Sequence, residues 1–238
     1  MITEQIIYFS GLGASLGFVH TLLGPDHYIP FIAMSKAGNW STFKTSLITI
    51  LCGIGHVLSS MVIGIIGIGF GIAIGNIEYI ESVRGDIASW LLISFGLVYM
   101  IWGIRKAIKN KTHNHTHIHS DGEIHSHTHT HNLKHTHVHS EDTNKNLTPW
   151  ILFAIFIFGP CETLIPILMY PAATKSTFEL IIVTSIFGIT TILTMLAIVL
   201  VSVSGIKIIS LSKVEKYTHA LAGVLILLCG ISIKILGL

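Results

Sequence analysis

Two imidazoles and a carboxylate stand beside a helix-breaking pair in the run His20-Thr21-Leu22-Leu23-Gly24-Pro25-Asp26-His27-Tyr28-Ile29-Pro30. His20 and His27 are seven residues apart, so an unbroken helix would set them on one face. The Gly24-Pro25 break disturbs that and can bring Asp26 round to the same space. His56 follows Gly55 in the next apolar run. Imidazole and carboxylate together suit divalent Ni, Co, Cu or Zn, whereas Mg or Ca prefers an all-oxygen shell. The second half of the chain answers with Gly159-Pro160-Cys161-Glu162-Thr163-Leu164-Ile165-Pro166. There Cys161 offers a sulfur and Glu162 a ligand or proton carrier. Thr191 occupies the place that corresponds to His56 and offers a hydroxyl.

Each of these residues also has a plainer role. His20 would bridge helices and His56 would pack against its neighbours. Asp26 would cap the half-helix after the break, and Glu162 would cap likewise. Cys161 is a common small packing residue, and Thr190 and Thr191 serve as helix–helix glue. His219 reads as interfacial. The functional reading is favoured for the charged groups because a charge near the bilayer centre costs roughly 2.5–3.5 kcal/mol on insertion scales.

The elements that hold these residues follow from composition. The chain has 238 residues, 51% hydrophobic and 11% charged, with a mean hydropathy of +0.72. So few charges cannot cover a globular surface, and lipid must supply part of the solvent. A net charge of +2 argues against a nucleic-acid partner. Cys52, Cys161 and Cys229 are dispersed in apolar runs and form no disulfide framework. Met1 to Gln5 lacks a basic lead-in, so the first apolar run is expected to be a retained helix rather than a cleaved signal.

Six segments are expected to span: about 3–23 continuing through 33, 45–74, 87–108, 149–169 interrupted at Gly159-Pro160, 178–203, and 217–236. Lys and Arg divide eleven to three between the two sides of such a bundle, Arg84 being among the three. The richer side is expected to be cytoplasmic, with both termini outside. Between the third and fourth spans lie eleven of the fifteen histidines: His113, His115, His117, His119, His125, His127, His129, His131, His135, His137 and His139. Thr, Ser and Asn fill most of the gaps. Such a tract buries no core, is expected to be mobile, and binds divalent transition ions.

The two halves echo one another. Beyond the paired Gly-Pro motifs, Gly53-Ile54-Gly55-His56-Val57-Leu58-Ser59 matches Gly188-Ile189-Thr190-Thr191-Ile192-Leu193-Thr194, and Gly96 and Gly103 match Gly223 and Gly230. Three helices per copy is an odd number, so the second copy enters from the other side of the membrane. The expected fold is an all-α polytopic membrane protein. It has six transmembrane helices as two inverted three-helix repeats with broken first and fourth helices. Residues 1–108 form the first repeat, 109–147 a His-rich cytoplasmic loop, and 148–238 the second repeat.

The His20, Asp26 and His27 cluster resembles the His-x4-Asp-His signature of the nickel/cobalt transporter family, with a gap of five here. The Gly-Pro-Asp-His form looks closer to its urease-accessory (UreH-like) branch. Gly55-His56 and Gly159-Pro160-Cys161-Glu162 resemble the family's other motifs, and the His-rich tract looks like the loop of RcnA-type exporters. The resemblance implies a cell-membrane permease, not an enzyme, working by alternating access. No catalytic cofactor is implied. The cargo would be Ni(2+) or Co(2+), with Zn(2+) as a further candidate. The partners would be the lipid bilayer, the metal ion and a cytoplasmic metallochaperone.

Three other classes compete. Disulfide-reducing membrane proteins of the DsbD/CcdA type share a six-helix inverted repeat but need a cysteine in each repeat; here Cys161 has Asp26 opposite it. LysE/TauE-type solute exporters would place an anion at the half-helix ends, where Asp26 and Glu162 stand. A membrane metal sensor or chaperone would bind an ion and pass nothing.

Overall fold

An apolar run of twenty residues has one local solution in lipid. It forms a helix, because every backbone N–H must find a carbonyl within its own segment. The computed structural model describes residues 2–70, 74–109, 113–118, 124–129, 147–161, 163–167, 177–208 and 215–236. Helices α1 (Ile2–Leu23), α2 (Ile29–Ala37), α3 (Thr42–Gly69) and α4 (Ile74–Lys109) make up the first half, with a 3-10 turn at Pro25–His27 between α1 and α2. After the His-rich tract come α5 (Thr148–Phe158), α6 (Thr177–Ile208) and α7 (Thr218–Leu236).

Among the described residues, five helices are long and apolar enough to cross a membrane: Ile6–Leu23, Thr42–Gly67, Asn76–Lys109, Phe178–Ile206 and Glu215–Ile235. The protein is a multi-pass helical membrane protein. The fourth span is broken at Gly159-Pro160, as expected. α5 stops at Phe158, and the chain turns helical again at 164–167. Eleven residues rise only about 16 Å, half of a ~30 Å hydrocarbon core. Proline explains the stop, because Pro160 supplies no N–H to continue the ladder. α4 begins at Ile74, well before the expected start at 87.

The membrane part is all-helical, as expected, and the His-rich tract adds a short ribbon. Within the His-rich tract, β1 (His113–Ile118) pairs antiparallel with β2 (Ile124–His129). The register sets His113 across from His129, His115 from His127 and His117 from His125. Composition alone suggested a mobile loop. The strict alternation of histidine with Thr, Asn, Ser and Ile has the period of a strand instead.

Packing joins the halves to each other. α4 lies along α7, α1 along α6, and α3 against α5 and α6, while α2 meets α7 and α4 meets α5. The α4–α7 crossing is close because glycine lines it from both sides. A Cβ on Gly96 would come 2.9 Å from the Gly223 carbonyl oxygen, and one on Gly223 would come 2.8 Å from that of Gly96. One apolar core gathers Phe31, Met34, Leu152, Phe156, Met195 and Ile226; a second gathers Cys161, Leu164, Val183 and Phe187. Trp90, Val98, Ile181, Val201, Leu221 and Leu225 are exposed on the outside, the arrangement a lipid solvent allows and water penalises.

At the α2–α3 corner, Asn39 takes φ 48°, a left-handed conformation that asparagine tolerates. Trp40 N–H then donates to the Ser35 carbonyl at 2.9 Å, and Ser35 and Thr45 share a buried hydrogen bond of 2.8 Å.

The crossing generates a prediction. Gly223→Val forces α4 and α7 apart and destabilises the purified protein by about 1–3 kcal/mol. Gly205→Ala, with nothing within 4 Å of its new Cβ, is neutral or slightly stabilising. Thermal unfolding in detergent checks both.

Candidate functional site

The first break builds one side of the site. α1 ends with Gly24 N–H donating to the His20 carbonyl at 3.0 Å, and the 3-10 turn then carries Asp26 and His27 across the end of the helix. Glycine is required at 24 by close approach. A Cβ there would overlap the His27 ring and come 2.9 Å from Asp26 Oδ1. His20 therefore sits in the last turn of α1 and His27 just past it. His56 faces them from the middle of α3.

His27 is 2% exposed and His56 1%, so both rings are sealed from solvent and lipid. His27 Nδ1 lies 3.1 Å from the Gly24 carbonyl oxygen and 3.1 Å from Asp26 Oδ1. Both partners are acceptors, which puts the proton on Nδ1 and makes Nε2 an acceptor. That Nε2 stands 3.3 Å from His56 Nε2. The His20 ring completes the group, its centroid 4.8 Å from that of His27 and 6.3 Å from that of His56. One nitrogen from each of the three rings lies within 4.8 Å of the others.

This geometry suits a borderline transition metal. Two nitrogens on a tetrahedral ion at about 2.0–2.1 Å are about 3.3–3.4 Å apart, the spacing found between His27 and His56. A carboxylate holding the far nitrogen of a ligating imidazole is the usual outer-shell partner. His56 Nδ1 and Thr191 Oγ1 are buried with no hydrogen-bond partner among the described residues. Such groups cost roughly 1–3 kcal/mol each when left bare. Thr191 faces α1, since a Cβ on Gly17 would come 3.2 Å from its hydroxyl.

The second break closes the other side. Cys161 is fully buried, with Sγ 3.7 Å from His20 Nε2, and Thr163 Oγ1 is 3.3 Å from His20 Nδ1. The structure thus brings His20, Asp26, His27, His56 and Cys161 together, with the breaks at Gly24, Pro25, Gly159 and Pro160 as the sequence suggested. Glu162 lies outside the described residues, as do His119, His131, His135, His137 and His139 of the tract.

Sequence reasoning missed Thr163 and, more seriously, a buried ion pair. Glu81 is fully buried and pairs with Arg84, which is 9% exposed. Arg84 had been counted as a loop charge. It lies inside, because α4 starts a dozen residues earlier than its apolar run suggests. The signal was present as Glu-x-x-Arg-Gly, two charges one turn apart next to a glycine. That glycine, Gly85, lets α4 press on the break, since a Cβ there would come 2.9 Å from Pro160 Cγ.

Residues 29–232 match the family described as cytochrome C biogenesis protein transmembrane region. No curated protein and no solved structure matches. The match overturns the likeness to nickel/cobalt transporters, which rested on short motifs, and it gives nickel or cobalt transport no support. It also restores the membrane electron-carrier class that the missing second cysteine had set aside. The matched segment starts after His20, Asp26 and His27, so the cluster that suggested the other family lies outside it. With six-sevenths of its length inside the match, this multi-pass chain belongs to the cytochrome C biogenesis protein transmembrane-region family.

Proposed function

We propose that this protein is a permease for a divalent transition-metal ion of the cobalt, nickel and zinc class. His20, His27 and His56 hold the ion, and Asp26 fixes the His27 tautomer. The observation that carries the reading is the 3.3 Å approach of His27 Nε2 and His56 Nε2, the first of them oriented by a carboxylate, between two buried rings. Three imidazoles select borderline ions over Mg or Ca. Their burial means that the ion enters and leaves only when the helices around the site move.

Alternating access between inverted repeats fits the packing. Exchanging the halves maps α1 on α6 onto α5 on α3, while α4 on α7 maps onto itself. The Lys and Arg bias supports a cytoplasmic His-rich tract with both termini outside. The density of histidine in residues 113–139 supports a role in collecting ions at that side. The ion is cargo, and a cytoplasmic metallochaperone is the natural donor or acceptor.

Flux of Co(2+) or Ni(2+) into proteoliposomes tests this. His27→Ala and His56→Ala abolish flux while the protein still inserts, and Asp26→Asn weakens metal binding by about 10–100-fold. Wild-type flux in His56→Ala rules the site out.

A second reading is a thiol-based electron carrier, in keeping with the family's description. The 3.7 Å approach of Cys161 Sγ to His20 Nε2 favours it, since the imidazole is placed to take the thiol proton. All three cysteines are free in this structure. Cys161→Ser separates the readings. Metal flux persists under the first, whereas under the second trapping of a Cys161 mixed disulfide in the wild type accompanies loss of all activity in the variant.

A further inference from the structure

The two helix breaks are satisfied in different ways. The first closes on itself, with His27 N–H and Tyr28 N–H donating to the carbonyls of Gly24 and Pro25 at 3.1 and 3.4 Å. The second is served from outside by α3 and α4. Arg84 Nη2 donates to the Ile157 carbonyl at 2.7 Å and to the Gly159 carbonyl at 3.4 Å, both at the C-terminal end of α5. On the far side of Pro160, the Cys161 N–H donates to Glu81 Oε2 and to Ser60 Oγ, each at 3.2 Å.

The signs match the backbone. A helix C-terminus is negative and attracts a cation; freed N–H groups attract an anion. Arg84 stands at the carbonyls and Glu81 at the N–H, with the two paired to each other across the gap. Ser60 donates to Glu81 Oε2 at 2.9 Å and accepts from Arg84 Nη1 at 3.1 Å. Arg84 Nη2 also donates to Ser59 Oγ at 2.7 Å, and Ser59 donates to the His56 carbonyl at 2.8 Å. The network runs without interruption from the break to the backbone of a site histidine.

We propose that Glu81 and Arg84 are positioning residues: they clamp the second break by neutralising the backbone groups it frees, and so hold Cys161 and Thr163 against His20. An ordinary buried ion pair would be replaceable by apolar residues of like volume, often at no cost. This pair is not, because removing both charges strands the carbonyls of Ile157 and Gly159 in a water-poor interior and leaves the Cys161 N–H with Ser60 alone. The clamp holds whether the site carries a metal or a thiol intermediate, so its test needs neither.

The test is site-resolved maleimide labelling of the full-length protein in detergent, with rates read by mass spectrometry for each cysteine. The double variant Glu81→Leu/Arg84→Met leaves no unpaired buried charge. Its Cys161 labels roughly tenfold faster than wild type or more, because local opening of the break no longer breaks the clamp. Cys52 and Cys229, buried in the other core, keep their wild-type rates. Arg84→Lys keeps the charge but loses the fork that reaches five partners, and shows a smaller rise at Cys161. A wild-type Cys161 rate in the double variant, or an equal rise at all three cysteines, overturns the proposal. So does a wild-type rate in Arg84→Lys, which would mark an ordinary ion pair.

Discussion

Lipid supplies no hydrogen bonds, and a chain that interrupts two of its buried helices must satisfy the freed backbone by other means. Much of the molecule's interior answers to that constraint. At the first break the answer is local. The chain tightens into a 3-10 turn, and His27 Nδ1 donates to the Gly24 carbonyl left over. The repair turns the imidazole, so the same hydrogen bond that quiets the backbone presents Nε2 to His56. At the second break Pro160 prevents a tight local repair, and α4 brings a guanidinium and a carboxylate to the two ends.

The site is thus a by-product of helix repair as much as of ligand choice. Two interruptions meet where α1, α3 and the segment after α5 converge, and the side chains nearest the exposed backbone are imidazole, thiol and hydroxyl. Glycine makes the convergence possible. Gly24 leaves room for the His27 ring, and Gly159 admits His56, whose Nδ1 would lie 2.9 Å from a Cβ placed there. The α4–α7 crossing is the rigid spine against which the broken helices rest, because backbone meets backbone at Gly96 and Gly223 and leaves no side chain to yield.

Family membership and site chemistry overlap only in part: His56, Cys161 and Thr163 lie inside the matched residues. The family match covers the apolar helices from residue 29 onward, whereas His20, Asp26 and His27 precede it. A motif of a few polar residues beside Gly-Pro arises wherever a membrane helix is broken and something must line the gap. That is why a likeness spread over some 25 residues pointed to the wrong family. A shared fold also leaves the chemistry of a grafted site open.

The sequence by itself determined the spans, the first break and the identity of the residues next to it. Lipid acts on each segment separately, and a run of apolar residues or a Gly-Pro pair has its effect whatever its neighbours do. It also held the clue to the ribbon in the alternation of histidines, although composition outweighed it. Only the tertiary structure decided that α4 begins as early as Ile74, that Arg84 and Glu81 are interior, and that Thr163 reaches His20. Those outcomes depend on which helix lies across each break. A carboxylate at 81 and an amide N–H at 161 are eighty residues apart along the chain, and neither reveals its partner until α4 packs against Pro160.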